Sequence, residues 1–301
     1  MKVTAEGELR ELLGDWTVWI DGEFGEFTLG KTKPRSRILD EKSFHIGIDK
    51  RLSDDGDLFG FALGLGEDTP VDRNHDSHME SRNYSLSTYG KFDDRSYALQ
   101  YIFGIGRIEF DSDRLDRQEL LKGEREANQL FGSLAFIRSL NNENNNWQIS
   151  PYLRMDGSYT EFDKYSEIGG EAALTFDELT LSNAKASIGT DISYLFAESK
   201  YNAMPYISLE YGLDYSKTSS QNMYYNLEGP NTNYKLKLDD GMKAHNWEVD
   251  IGLMLEISRY LNTNIGCRWE GRSNYLSDFS GIDKNDISTS EVCFFELIGN
   301  F

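Results

Sequence analysis

The sequence predicts an all-β chain: a twelve-stranded antiparallel up-and-down barrel that spans a membrane. Three observations predict it. Apolar and polar residues alternate over strand-length segments along most of the chain, and the polar breaks between those segments alternate strictly between short and long. The 301 residues are also rich in Gly, Tyr and Phe, at 27, 17 and 17, and poor in Pro, at 5. Period-two alternation puts successive side chains on opposite faces of a strand, and this composition favours β-structure with close backbone packing. No run of about 18 apolar residues occurs, which excludes a helical membrane protein. The mean hydropathy of -0.57 does not exclude a membrane barrel, because lumen-facing residues offset lipid-facing ones.

Before the first strand at Trp16, the segment Ala5 to Leu13 predicts a short helix stopped by Gly14, at or in the pore mouth, or else a linker. Residues 1–15 thus form a linker or pore helix, and 16–301 the barrel. Met1 to Gly7 has no apolar h-region, so no signal peptide is expected, and an exported barrel starting here is expected to be a fragment or the downstream end of a longer precursor. Further along, Phe44, Ile46 and Ile48 oppose His45, Asp49 and Arg51, and Phe59, Phe61, Leu63 and Leu65 alternate with Gly60, Ala62 and Gly64. Segments 81–91 and 127–140 read as strands whose outward parity stays open. Tyr97, Leu99, Tyr101 and Phe103 mark another strand, as do Trp147, Ile149, Leu153 and Met155. Ala186, Ile188, Ile192, Tyr194 and Phe196 follow, then Pro205, Ile207, Leu209, Tyr211, Leu213 and Tyr215. The clearest strand is Trp247 to Ile257, with large apolar residues at every odd position, and in the next one Ile265, Cys267 and Trp269 oppose Arg268 and Glu270.

Short breaks fall at 53–57, 92–95, 141–146, 199–203 and 259–262, and long ones at about 25–42, 67–80, 110–126, 161–183, 218–244 and 275–287. Six long loops and five short turns require twelve strands, with both chain ends on the short-turn side. Ala173 to Phe176 would make a thirteenth. Parity forbids it as a wall strand and assigns it to an extension of a neighbour or to the long loop.

A soluble sandwich also alternates, but here opposite charges crowd the positions predicted to point inward. Those are Asp21, Asp49, Asp156, Asp191, Glu210, Asp214, Glu248, Asp250, Glu256, Glu270 and Glu296 against Arg51, Arg154, Lys185, Arg268 and Arg272. Such a lining either braces the wall or, in an open pore, favours cations. The net charge of -20 argues against nucleic acid as a partner. Cys267 and Cys293 take the lipid-facing parity of the last two strands, where a small apolar thiol needs no partner, and are expected to be free. His75-Asp76-Ser77-His78 carries metal-ligand and hydrolase-like residue types, but neighbours on one loop do not converge in space, and a solvated loop is the expected reading. No catalytic residue, metal or cofactor is assigned. Trp16, Trp19, Trp147, Trp247 and Trp269 are expected in aromatic girdles.

At the end of the chain Cys293, Phe295, Leu297 and Phe301 share one parity against Glu296 and Asn300. Phe295, Leu297 and the terminal Phe301 resemble the signature by which Gram-negative outer-membrane barrels are recognised for assembly. Gly47 to Gly64, Tyr84 to Gly90, Trp147 to Arg154 and Pro205 to Leu209, in that order and spacing, resemble the autotransporter β-domain, the translocator of type V secretion, over almost the whole chain from Trp16. The resemblance implies an outer-membrane barrel crossed by a helix or linker and acting as translocator or anchor for an N-terminal passenger, here absent. It implies the lipid bilayer, the assembly machinery and its own passenger as partners of a monomer that is not an enzyme. Some relatives cleave themselves at a pore-helix Asn, but residues 1–15 contain none. A narrow stand-alone porin, or a surface protein binding through its long acidic loops, are the alternative readings.

Overall fold

The computed structural model describes residues 16–29, 37–53, 56–70, 77–94, 96–116, 118–140, 146–198, 201–236, 242–258, 261–275 and 287–300. The expected N-terminal helix and Phe301 lie outside these residues. Twelve strands form the wall: β1 (Trp16–Leu29), β2 (Arg37–Arg51), β3 (Leu58–Pro70), β4 (Ser77–Asp94), β5 (Tyr97–Asp116) and β6 (Glu119–Arg138), then β7 (Trp147–Phe162), β8 (Leu179–Tyr194), β9 (Tyr201–Thr218), β10 (Met242–Ser258), β11 (Leu261–Tyr275) and β12 (Ile287–Asn300). Each is antiparallel to its neighbours in sequence, and β12 closes on β1 with Thr17 opposite Asn300 and Thr28 opposite Thr289. Closure leaves no strand edge, so the ladder pairs the backbone groups that hydrocarbon would leave unsatisfied.

The alternation drives the arrangement inside out. Phe61, Leu63, Leu86, Phe103, Ile105, Leu134, Leu153, Ile188 and Ile251 are exposed on the outer face. The buried apolar residues, by contrast, are nearly all small: Ala62, Ala98, Ala127, Ala172, Ala173 and Ala244, with Leu121 and Val292. Outward exposure of large apolar side chains is what a lipid-facing wall requires. It also settles the parity that sequence left open, because Tyr84 and Leu86 face out on β4, as do Leu130, Leu134 and Phe136 on β6.

Register links one strand to the next with a stagger. A path leaving Trp16 passes through Lys50, Phe59, Gly90, Tyr101, Leu134, Met155, Ala186, Leu213, His245 and Ser273 to Ile287, whose level on β1 lies beyond Thr28. The strands therefore tilt strongly against the barrel axis. In the first short turn Gly56 takes a φ of 105°, open to a residue without Cβ, while the Leu52 amide donates to the Asp57 carbonyl at 2.8 Å.

Several expectations change. The link placed at 110–126 is mostly strand: β5 and β6 have 20 residues each, about twice what a tilted strand needs to cross the hydrocarbon, and only residues 117 and 118 separate them. Polar on both faces, this hairpin reads as a loop in sequence, yet its ladder is continuous. As parity requires, Leu174–Phe176 joins no wall strand and belongs to the long loop; it pairs with Gln221–Tyr225 and Tyr165–Ser166, and Tyr234–Leu236 completes a small sheet above the wall. That sheet packs on the hairpin through Leu121, Ala172 and Ala173. Trp19 points inward, not into a girdle. Cys267 and Cys293 are not free thiols but a disulfide, because β11 and β12 place them directly opposite each other with Cα atoms 4.0 Å apart.

Candidate functional site

The inner face is the candidate site. One cavity of about 570 Å³ is lined by Trp19 and Asp21 of β1, Gln100 of β5, Arg154 of β7, Asp191 of β8, Tyr206 of β9, Asp250 of β10, Arg268 of β11 and Glu296 of β12. Another of about 590 Å³ adds His45, Ala62, Ser87 and Tyr89 from β2, β3 and β4. Residues from opposite sides of the ring border the same spaces, so both are parts of one lumen.

Its charges concentrate on the arc from β7 to β11. Alternation on five consecutive strands turns Arg154, Lys185, Glu210, Glu248 and Arg268 to the same side at similar heights. Glu210, whose side chain is 2% exposed, accepts from Arg154 Nη2 and Lys185 Nζ at 2.8 Å each and from the Tyr152 hydroxyl at 3.0 Å. Arg268 donates to Asp250 at 2.9 Å and approaches Glu248 at 3.4 Å and, across β12, Glu23 at 3.8 Å. Asp156 pairs with Arg154 at 3.1 Å and Asp214 with Arg272 at 3.5 Å. The cations of this arc are thus each held by carboxylates, whereas no ion pair to Asp191, Glu270 or Glu296 forms among the described residues. Ser208 stands directly opposite Asp191 on the neighbouring strand, and Asn264 opposite Glu296.

The arc from β2 to β5 is built differently. Glycines on one strand receive rings from a neighbouring one: Tyr89 lies over Gly60, Tyr101 over Gly90 and, from the adjoining β1, Trp19 over Gly47, where any Cβ would overlap the ring. The Trp19 indole donates to the Tyr89 hydroxyl, which in turn donates to Asp49 at 2.9 Å, and His45 lies 3.4 Å from Asp21. The same device recurs on the charged arc, with Tyr152 over Gly189 and Tyr206 over Gly252.

Of the residues singled out by sequence, Arg154, Asp191, Glu248, Asp250, Arg268 and Glu296 line the first cavity, and Asp156, Asp214 and Arg272 line another of about 480 Å³. Glu210, Glu270 and Lys185 border a smaller space of about 150 Å³. Asp49 sits behind Tyr89. Arg51 is exposed at the turn end of β2, and Glu256, near the turn end of β10, accepts a hydrogen bond from Asn202. Phe295 and Leu297 face outward, with Phe295 stacked on Phe24 across the seam. Sequence reasoning missed Glu23, Tyr89 and Tyr152. Glu23 shares the parity of Asp21, and Tyr152 that of Arg154, and both were available on that ground; Tyr89 lies in a segment rich in Ser and Gly, where polarity marks neither face. Of the His75 to His78 group only the last two residues are described, at the start of β4, and no group of three metal-ligating side chains converges among the described residues.

Above the wall the β5–β6 hairpin and the loop sheet are held by Arg114, which donates to Glu167 at 2.6 Å and 3.1 Å and to the Ala172 carbonyl at 3.2 Å. Hydrogen bonds to Glu167 raise the Arg114 pKa, and burial raises that of the Tyr165 phenol.

A closed barrel with an apolar exterior, a charged interior, short turns at one end and tall structure at the other is built as an outer-membrane β-barrel. The autotransporter β-domain family model matches residues 19–267. Among solved structures, the chain is similar to the translocator domain of the autotransporter NalP from Neisseria meningitidis, with 12% identity and a TM-score of 0.71 over 100% of this chain and 96% of that one. It is similar to the β-domain of the Bordetella autotransporter BrkA, with 13% identity and a TM-score of 0.66 over 95% and 100%, and to the transport unit of AIDA-I from Escherichia coli, with 14% identity and 0.52 over 97% and 92%. No curated protein sequence matches. The chain belongs to the autotransporter β-domain family, and it is an outer-membrane translocator barrel.

Proposed function

We propose that this barrel works as a monomer that carries the linker of its N-terminal passenger through the lumen, performing no covalent chemistry itself. The observation that carries the reading is the charge balance of the inner face: Arg154, Lys185, Arg268 and Arg272 are taken up by wall carboxylates, leaving Asp191, Glu270 and Glu296 toward the open space. A wall braced in this way holds its shape around a crossing segment and presents acceptors to it. Residues 1–15 supply the linker or pore helix. Phe295 and Leu297 on the outer face, together with Phe301, form the signal for the assembly machinery.

A reporter domain fused upstream of Met1 behind a signal peptide tests this in a Gram-negative host. The reporter is expected at the cell surface, accessible to added protease, only when residues 1–301 are attached. A reporter that stays periplasmic while the barrel is folded in the outer membrane refutes it. In planar bilayers, purified barrel lacking residues 1–14 should prefer cations in whatever it conducts. Anion preference would overturn the assignment of Asp191, Glu270 and Glu296 to the lumen.

A further inference from the structure

The closing strand has a weak register code. On β10 and β11 outward apolar residues oppose inward charges such as Glu248, Asp250, Arg268 and Glu270, so a slip by one residue would drive charge into lipid. On β12 the run Val292-Cys293-Phe294-Phe295 is apolar on both faces. Val292 is 7% exposed and Phe294 lines the lumen, while Phe295 and Leu297 face out. A one-residue slip of this run exchanges apolar for apolar, and of the next residues toward the turn only Glu296 would register the error. Yet β12 must hold two registers at once, against β11 and against β1, because it closes the ring.

The disulfide sits where that ambiguity lies. Cys267 and Cys293 occupy one row of the outer face with Ile251 of β10 on one side and Phe24 of β1 on the other, exposed at 50% and 54%. In the membrane this row faces hydrocarbon. Thiol–disulfide exchange needs a thiolate, which hydrocarbon excludes, so a bond in this place must form before insertion.

We propose that the Cys267–Cys293 disulfide is a covalent register clamp on the closing strand, set in the periplasm before insertion and closed to water-soluble reductants afterwards. The chemistry is exchange with an oxidised protein disulfide. One cysteine thiolate attacks a sulfur of that partner, displacing its other sulfur as a thiolate. The second cysteine thiolate then attacks the mixed disulfide at the sulfur of the first. The partner leaves as a dithiol carrying two electrons, and the two cysteines have lost two electrons and two protons. With the bond made, β12 pairs β11 in one register only, and the edge it offers β1 is already aligned.

The test folds urea-denatured full-length chain into phosphatidylcholine vesicles and reads the folded fraction by its altered gel migration without heating. Oxidised chain is expected to fold at least three-fold faster than reduced chain or a C267S/C293S chain. Adding Val292→Thr, which makes one inward position polar at nearly constant shape, should recover at least half of that loss. Equal rates for oxidised and cysteine-free chains would overturn the clamp, and so would a cysteine-free chain that Val292→Thr fails to help. Separately, a hydrophilic phosphine followed by alkylation and mass measurement should reduce the bond at least ten-fold more slowly in the vesicle-embedded barrel than in the unfolded chain. Equal reduction rates would overturn the protection.

Discussion

The two arcs of the lumen wall solve the same packing problem with different chemistry. From β7 to β11, long charged side chains reach across neighbouring strands and meet at Glu210 and Arg268. From β2 to β5, rings lie flat over glycines, and the polar chain Trp19–Tyr89–Asp49 contains a single charge. Both arcs keep the interior narrow without a conventional apolar core. They differ in what a lost group leaves behind: a charged hub leaves unpaired charges, whereas a ring over glycine leaves at most an unpaired hydroxyl or a gap.

Four substitutions test that contrast, each read as the shift in free energy from reversible urea unfolding in detergent micelles or vesicles. Glu210→Ala strands Arg154, Lys185 and the Tyr152 hydroxyl, and should cost about 3 kcal/mol, the lower end for a broken buried pair because Asp156 and Glu248 remain near Arg154. Gly47→Val drives a side chain into the Trp19 indole and should cost about 2 kcal/mol, with altered tryptophan emission as a second readout. Tyr89→Phe removes the donor to Asp49 and the acceptor for Trp19 and should cost about 1 kcal/mol. Arg82→Ala breaks an ion pair with Asp111 on the outside of the tall hairpin, where both side chains are more than half exposed at 56% and 52%, and should cost less than about 0.5 kcal/mol. If Glu210→Ala proves no more costly than Tyr89→Phe, the arcs are energetically alike and the contrast is only one of composition. If Arg82→Ala rivals Glu210→Ala, then location in the lumen adds nothing to an ion pair.

Much of this was legible in the sequence for a physical reason. Strict alternation at Trp247 to Ile257 marks both the strand and its lumen face, because lipid and water demand opposite side chains. Strands with serine and glycine on one face and mixed residues on the other, such as β4 and β6, announce themselves as strands but not which way they turn. The height of the β5–β6 hairpin was hidden for a related reason: above the membrane both faces meet water, so the alternation fades while the ladder continues. The small sheet joining residues 165–176 to 221–236 depends on two loops meeting in space, which no local pattern records. Cys267 and Cys293 share a parity that sequence does show. Whether they stand opposite each other depends on the length of strand used before and after the intervening loop, and the alternation leaves that open by steps of two.

The pairing of Thr17 with Asn300 has a consequence for the order of events. A closed ring has no first strand: in space β1 and β12 are neighbours like any other pair, and the start of β1 and the end of β12 sit on one rim. Beginning and end are distinctions of time, set by the direction of synthesis. Moving the chain's opening to another turn on the same rim, such as the one between β6 and β7, would keep the architecture and change which strand arrives last.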